Sequence, residues 1–527
     1  MFDILIKNGN VVAGDGSEPV KQDIGIAKER IVAIENYIPA DSALTVIDAS
    51  GLLVTPGFVD IHSHADLYPI NQNNVPILLL QGITTVIAGH CGLSVAPCLR
   101  EYHSLWRSMY EKSFWGESSF VWEWESMAQY LDCFNKNSIA ANFATFTGLG
   151  AIRLTLTGPS SKEVTPQEIY EACLKNIDEG SLGISLGPYF PCGYAKKEEL
   201  EAAALAVAKK NAVLSVHMSS YGDELLESSE KYINIARKTG CNLEISHLHA
   251  AGKRNWHKLE KVIEVIEKAN NQGLNINFDR HCYAAGSTPL VALLPPWAQE
   301  GGNNAIKNRL LNKQIRDKIR SDLKTGLPYW DCLVSLAGWD CIVVLINIEG
   351  EDKLRYSNKN LDEISKQEGL DPVDVLCKII IKYGDKAAMI IHHMEEQGVI
   401  DVLTHNLGMI GSDSNFVEHP HPRTYGNYAK WFGYYIRDKK ILSVGDAVYK
   451  CTAMPCSKHG INMRGLLRPN YYGDINIIDW QNFFETGTYD EPESYPTGIR
   501  YVLVNGQPVV FQGEITGKCP GNILINS

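Results

Sequence analysis

The chain has 527 residues, too many for one small core, and its 45% hydrophobic and 21% charged content is ordinary for a globular enzyme. A formal charge of −12 and the lack of any Lys/Arg-rich run exclude nucleic acid as the expected partner, because phosphate recognition needs a basic face. The 13 cysteines are scattered without CxxC repeats, which argues against a disulfide framework or zinc ribbon and for a reducing, cytoplasmic setting. No apolar run reaches the length of a membrane span, and Met1 to Gly9 lacks the basic-then-apolar order of a signal peptide, so no membrane partner is expected.

In chain order, Ile4-Leu5-Ile6-Lys7 and Asn10-Val11-Val12 flank Asn8-Gly9, which reads as a hairpin turn, and Tyr501 to Val510 repeats the plan around Asn505-Gly506. With Asp23-Ile24-Gly25-Ile26 and Asp474 to Asp479 as further strands, residues 1–56 and 470–527 are expected to combine into a small β-sandwich. Between them, residues 57–469 alternate short apolar runs (Thr84–Ala88, Gly183–Ser185, Val213–Val216, Leu243–Ser246) with helical patterns. One helix is expected from Pro166 behind the N-cap Thr165, another over Lys258–Asn271. The alternation predicts an α/β fold of the (β/α)8 barrel type, with catalytic groups at the carboxyl ends of the strands. The Pro-, Trp- and Gly-rich stretch 284–350 breaks the rhythm and is expected to fold over the barrel mouth as a lid, bringing Trp297 or Trp339 near the substrate.

Candidate chemistry sits where predicted strands end. Val59-Asp60-Ile61-His62-Ser63-His64 places two imidazoles on one face of the chain, a pair suited to a divalent metal, although two polar residues at a strand end would look the same. Cys91 follows the Thr84–Ala88 run, His217 and His247 end the next pair of strands, and Asp413 ends Met409-Ile410-Gly411-Ser412. Taken singly, a cysteine is a small buried hydrophobe and an aspartate before serine is a turn residue. Their equivalent placement on successive strands is what points to a site.

The series His62-x-His64, Gly89-His90-Cys91-Gly92, His217-Met218, Ser246-His247 and Gly411-Ser412-Asp413, with Gly286-Ser287-Thr288, Pro296-Trp297 and His421-Pro422-Arg423-x-Tyr425-Gly426, resembles the D-aminoacylase (N-acyl-D-amino-acid deacylase) branch of the amidohydrolase superfamily. The resemblance implies one tight Zn²⁺ held by Cys91, His217 and His247. It also implies a second, weaker metal site at His62 and His64, with the cysteine as a bridge. No lysine ends the fourth strand, so a carboxylated-lysine bridge is not expected. One thiolate and two imidazoles leave a coordination position open, as catalytic zinc sites do. Asp413 would then act as general base toward water and general acid toward the leaving amine.

The implied function is zinc-dependent hydrolysis of a linear C–N amide, an N-acyl-D-amino acid or related small N-acylated compound. Hydrolysis of a cyclic amide or amidine, and a catalytically inactive barrel used for binding, stand as alternatives. Oligomeric state is left open. On the substrate side, Tyr283 and Ser287 match the residues that hold the substrate carboxylate in the family, and Arg423 is either a further anion partner or a structural ion pair. His249 stands where the family carries a lysine for that carboxylate, and Asp279-Arg280-His281-Cys282-Tyr283 departs from the usual Asp-x-Tyr-Pro-Tyr. These departures are expected to weaken binding of a free α-carboxylate.

Overall fold

Eight short parallel strands form the centre of the molecule. They are β1 (Phe58–Asp60), β2 (Ile83–Ala88), β3 (Asn142–Thr145, resumed at Thr147–Gly148), β4 (Gly183–Leu186), β5 (Val213–Val216), β6 (Asn242–Ile245), β7 (Ile276–Arg280) and β8 (Gly408–Ile410). Each pairs in parallel with the next, and β8 pairs with β7 through Phe278↔Gly408 to Arg280↔Ile410. The ring closes beyond β1 and β8, where Asp413 N–H donates to His62 O at 2.7 Å and His64 N–H to Ser414 O at 2.9 Å. This closed (β/α)8 barrel is seen in a computed structural model that describes residues 1–114, 121–160, 162–328, 330–346 and 355–526.

Alternation along the strands decides what faces inward. On β6, Leu243 and Ile245 join the apolar layer under the outer helices, while Glu244 is fully buried beside His459. That layer is completed by the helices the sequence predicts. Pro166–Asp178 opens with a capping box, in which Thr165 Oγ1 accepts from Glu168 N and the Glu168 side chain accepts from Thr165 N. Lys258–Asn271 buries Leu259, Val262, Ile266 and Ala269 along one stripe.

Both ends of the chain meet in one nine-stranded sheet, where Leu53–Pro56 pairs with Ile475–Ile478. Asn505-Gly506, at φ 49° and 73°, makes the expected tight turn between Ile499–Val504 and Gln507–Phe511. Asn8-Gly9 does not. Phe2–Val11 is a single strand, and the register shift between Ile6 and Gly9 makes the dipeptide a bulge. The reason is contact: a side chain on Gly9 would meet Val54 Cγ2 at 2.5 Å, and Asn8 N–H is taken by Asp23.

The excursion after β7 is larger than the 284–350 stretch read from composition. Gly286–Pro289 pairs antiparallel with Ala387–Ile391, which pairs in turn with Ile342–Ile346, so the segment returns only near residue 391. It has a hydrophobic core of its own. Trp297 and Trp339 pack against that core, and the Trp297 indole donates to Asp322 at 2.8 Å under Lys318. The insertion meets the barrel through Leu336, which joins the barrel's apolar layer, and through Asp331, which accepts from Ser220 Oγ, Tyr221 N and Gly222 N at 2.8, 2.8 and 3.0 Å.

The β1–β8 seam depends on Asp60, fully buried, whose carboxylate accepts from Ser412 N at 2.8 Å and Ser412 Oγ at 2.5 Å. Asp60→Ala strands both donors, each worth about 1–3 kcal/mol when left unsatisfied, so the urea midpoint should fall accordingly. Asp60→Asn, which keeps an acceptor, should fall less. Equal midpoints for wild type and Asp60→Ala would contradict this account of closure.

Candidate active site at the carboxyl end of the barrel

Every residue singled out at a strand end lies at the same face of the barrel. Cys91 follows β2 in a loop whose glycines lie at φ 77° (Gly89) and 75° (Gly92). A Cβ on Gly89 would sit 2.1 Å from Phe146 O, so the loop lies against β3 backbone. Asp66 holds the loop from below, accepting from Gly89 N at 3.3 Å and Tyr110 OH at 2.5 Å. Cys91, His247 and Asp413 all adopt left-handed backbone, with φ of 57°, 34° and 50°. Such conformations are costly for residues with side chains and concentrate at functional sites.

Among the described residues, two overlapping groups bring potential metal ligands within 4.8 Å of one another: His62, Cys91 and His247, and His62, His64 and Asp413. His62 is common to both. Cys91 Sγ lies 3.5 Å from His62 Nε2 and 3.6 Å from His247 Nε2, and Asp413 Oδ1 lies 3.6 Å from His62 Nε2 and 3.5 Å from His64 Nε2. His217 stands just outside the first group, its ring edge-on to His247 at 4.5 Å, and its Nδ1 is buried without a hydrogen-bond partner among the described residues. Cys91 is thus flanked by His62 as well as by His217 and His247, the pair the family resemblance implies.

The contacts that support the cluster come from residues far apart in sequence. Asp279, one residue before the end of β7, holds His62 Nδ1 at 3.1 Å with one oxygen and accepts from His247 N at 3.0 Å with the other. A carboxylate behind a ligating histidine fixes its tautomer and orientation. Asp279 stood in the sequence as the start of an altered motif, and only the barrel's curvature brings it against both histidines. His90 is likewise in place, stacked on His62 at 4.1 Å with Nδ1 3.1 Å from Ser215 Oγ.

Charge in the cluster is mutually compensated. Burial alone would raise the Cys91 thiol, but His62, His217 and His247 hold it well below the usual range. Burial opposes charge on His64, yet Asp413 and Cys91 bring it up to about 9. His247 is pulled down to about 3 by burial and by neighbouring His217. For Asp413, burial is outweighed by Arg423, His64 and His62, which keep its carboxyl well below the ordinary range. A buried thiolate, converging imidazoles and an orphaned imidazole nitrogen suit a borderline-soft divalent ion such as zinc.

The substrate-side residues divide. Arg423 forms an ion pair with Asp413, Nη2 to Oδ2 at 3.0 Å, so of its two readings the structural pair is the one seen. Tyr283 is turned to Glu485, to which its hydroxyl donates, with Lys430 Nζ 4.3 Å above the ring. Ser287 lies half-buried on the insertion's first strand, opposite Ile390. His249 is stacked flat on Tyr221 at 4.3 Å, and its Nδ1 donates to His247 O at 2.6 Å. Burial, with Arg280 and His393 nearby, holds His249 well below the usual imidazole range.

A model of the amidohydrolase family matches residues 45–293 and 401–510, leaving out the stretch that contains most of the insertion. The chain belongs to the amidohydrolase family. Within this amidohydrolase's kin, D-aminoacylase of Alcaligenes xylosoxydans xylosoxydans is 27% identical over 99% of this chain and 97% of the relative. N-acyl-D-glutamate deacylase of the same organism is 29% identical over 99% and 96%. Among solved structures, N-acyl-D-glutamate deacylase of Bordetella bronchiseptica, complexed with zinc and a phosphonate mimic of the tetrahedral intermediate, superposes with a TM-score of 0.83 at 25% identity over 99% of both chains. These full-length matches place this amidohydrolase with the D-aminoacylase branch.

The Arg423 contact has a measurable consequence. A depressed pKa keeps Asp413 ionised down to low pH, and removing the guanidinium raises it. Arg423→Gln should therefore move the acid limb of the kcat/KM profile to higher pH. An unmoved limb would show that Arg423 does not set the charge state of Asp413.

Proposed function

We propose that this amidohydrolase is a cytoplasmic, zinc-dependent deacylase that hydrolyses the linear amide of N-acyl-D-amino acids. The observation that carries this reading is the pair of donor groups sharing His62, with Asp413 in one and Cys91 in the other, at the carboxyl face of the barrel. Cys91, His217 and His247 would hold the tight ion, with His62 and His64 forming a weaker second site. A zinc ion held there supplies Lewis acidity toward a carbonyl and a water of lowered pKa. Kinship over the whole chain with deacylases of D-amino acid derivatives supports the substrate class. All 13 cysteines are free, which supports a reducing compartment.

The chain's own residues supply the proton transfers. Asp413, held ionised by Arg423, accepts a proton from the attacking water at a carboxylate oxygen. It returns that proton to the amine nitrogen as the C–N bond breaks, because an unprotonated amine is a poor leaving group. Asp279 keeps His62 and the His247 backbone fixed while this happens. The insertion, anchored through Asp331 to the loop after His217, would cover the pocket and exclude water.

Zinc-loaded protein offered N-acetyl-D-amino acids, their L-enantiomers and cyclic amides should release acetate from the D series. Turnover confined to cyclic amides would replace deacylation with ring opening, and turnover of none would favour a binding protein. Cys91→Ala should lose its zinc on dialysis whereas His64→Ala retains it, measured by metal analysis. Retention of full zinc by Cys91→Ala would refute the assignment.

A further inference from the structure

Arg280, the last residue of β7, is buried to 1% exposure. Its Nη2 donates to Tyr283 O at 3.1 Å and touches Met394 Sδ at 2.9 Å, while Nε and Nη1 have no hydrogen-bond acceptor among the described residues. No carboxylate among the described residues forms an ion pair with it, in contrast to Arg423, which is occupied by Asp413. Burial pulls the guanidinium down only to about 10, so it remains cationic at neutral pH. An uncompensated charge in the interior is expensive, and an arginine so placed is suited to an anion arriving from outside.

Its surroundings bear on which anion that would be. Arg280 and His249 line one small cavity together with Trp256, Met394 and Glu395. Glu395 makes no ion pair with Arg280. The ring of His393 lies 5.5 Å from that of His249, and it packs against Gly286, the neighbour of Ser287. The cavity thus adjoins the position where the family resemblance puts a lysine for the substrate carboxylate. His249 cannot stand in for a mobile cation, since its ring is stacked on Tyr221 and its Nδ1–H is committed to His247 O.

We propose that Arg280 supplies the positive charge for the substrate carboxylate, so that the cation missing at position 249 is provided from β7 instead. The proposal rests on the deacylase reading for the nature of the ligand. It replaces the expectation that a free α-carboxylate is poorly bound.

The test compares ligands that differ only in charge, an N-acetyl-D-amino acid and its carboxamide, on zinc-loaded protein by calorimetry and, where turnover occurs, by kcat/KM. Wild type should prefer the carboxylate. Arg280→Gln should lose roughly 10–100-fold on the carboxylate with the carboxamide unchanged, as expected for a charge-assisted contact. The double variant Arg280→Gln/His249→Lys should recover the preference. Losses of equal size on both ligands would mean that Arg280 only packs, and an undiminished preference would mean that another cation serves; either overturns the proposal. Wild type binding neither ligand, or both equally, overturns it too. If Arg280→Gln does not fold, Arg280→Lys decides, because it must keep the carboxylate preference. Carboxylate binding through Arg280 without turnover would leave the proposal standing and remove the deacylase reading.

Discussion

Parallel strand order is the constraint on which the rest depends. Eight strands running the same way deliver eight carboxyl ends to one face, so residues as distant in sequence as His62 and Asp413 become neighbours once β8 closes on β1. Bringing them together is not enough, because an ordinary strand end would point Cys91, His247 and Asp413 elsewhere. Left-handed backbone at all three turns the side chains toward a common centre, at a cost of about 1–3 kcal/mol each. That cost is offset by contacts that over-determine the geometry. Asp279 holds the His247 backbone, Asp66 and Ser185 fix the Cys91 loop, and the His62 carbonyl accepts from Asp413 N.

Charge placement constrains the site as well. Cys91, Asp413 and Asp279 are set against His62, His64 and Arg423 in a space almost closed to water, and each group is stabilised by a partner of opposite sign. Outward from this balanced centre the walls are histidines whose burial keeps them neutral: His249, His281, His393 and His421. Neutral imidazoles allow hydrogen-bonding walls without repelling a cation at the centre. Against this background an unpaired guanidinium is conspicuous, and it lies on a strand shared with Asp279.

How much of this was legible in the sequence follows from the range of the interactions involved. Residues that end barrel strands announce themselves through local pattern, which is why His62, His64, Cys91, His217, His247 and Asp413 could be read. The helices behind Thr165 and over Lys258–Asn271 follow from capping and periodicity. What could not be read depends on distant partners. Asn8-Gly9 and Asn505-Gly506 are the same dipeptide, and only the contact with Val54 makes the first a bulge. Ala387–Ile391 resembles a barrel strand by composition but pairs antiparallel within the insertion, so the end of that insertion was invisible. Tyr283 was placed by motif, yet Glu485, some two hundred residues on, takes its hydroxyl.

The sheet shared by both termini has a consequence for biosynthesis. Leu53–Pro56 finds its partner Ile475–Ile478 only after roughly 400 further residues have left the ribosome, and pairings of such separation close slowly. Until then the early strands present a bare, apolar edge beside a barrel whose last strand is also late. The nascent chain must therefore wait, partly open, for its own ending. A chaperone that shields β-edges during that interval would govern yield far more than it governs the stability of the finished molecule.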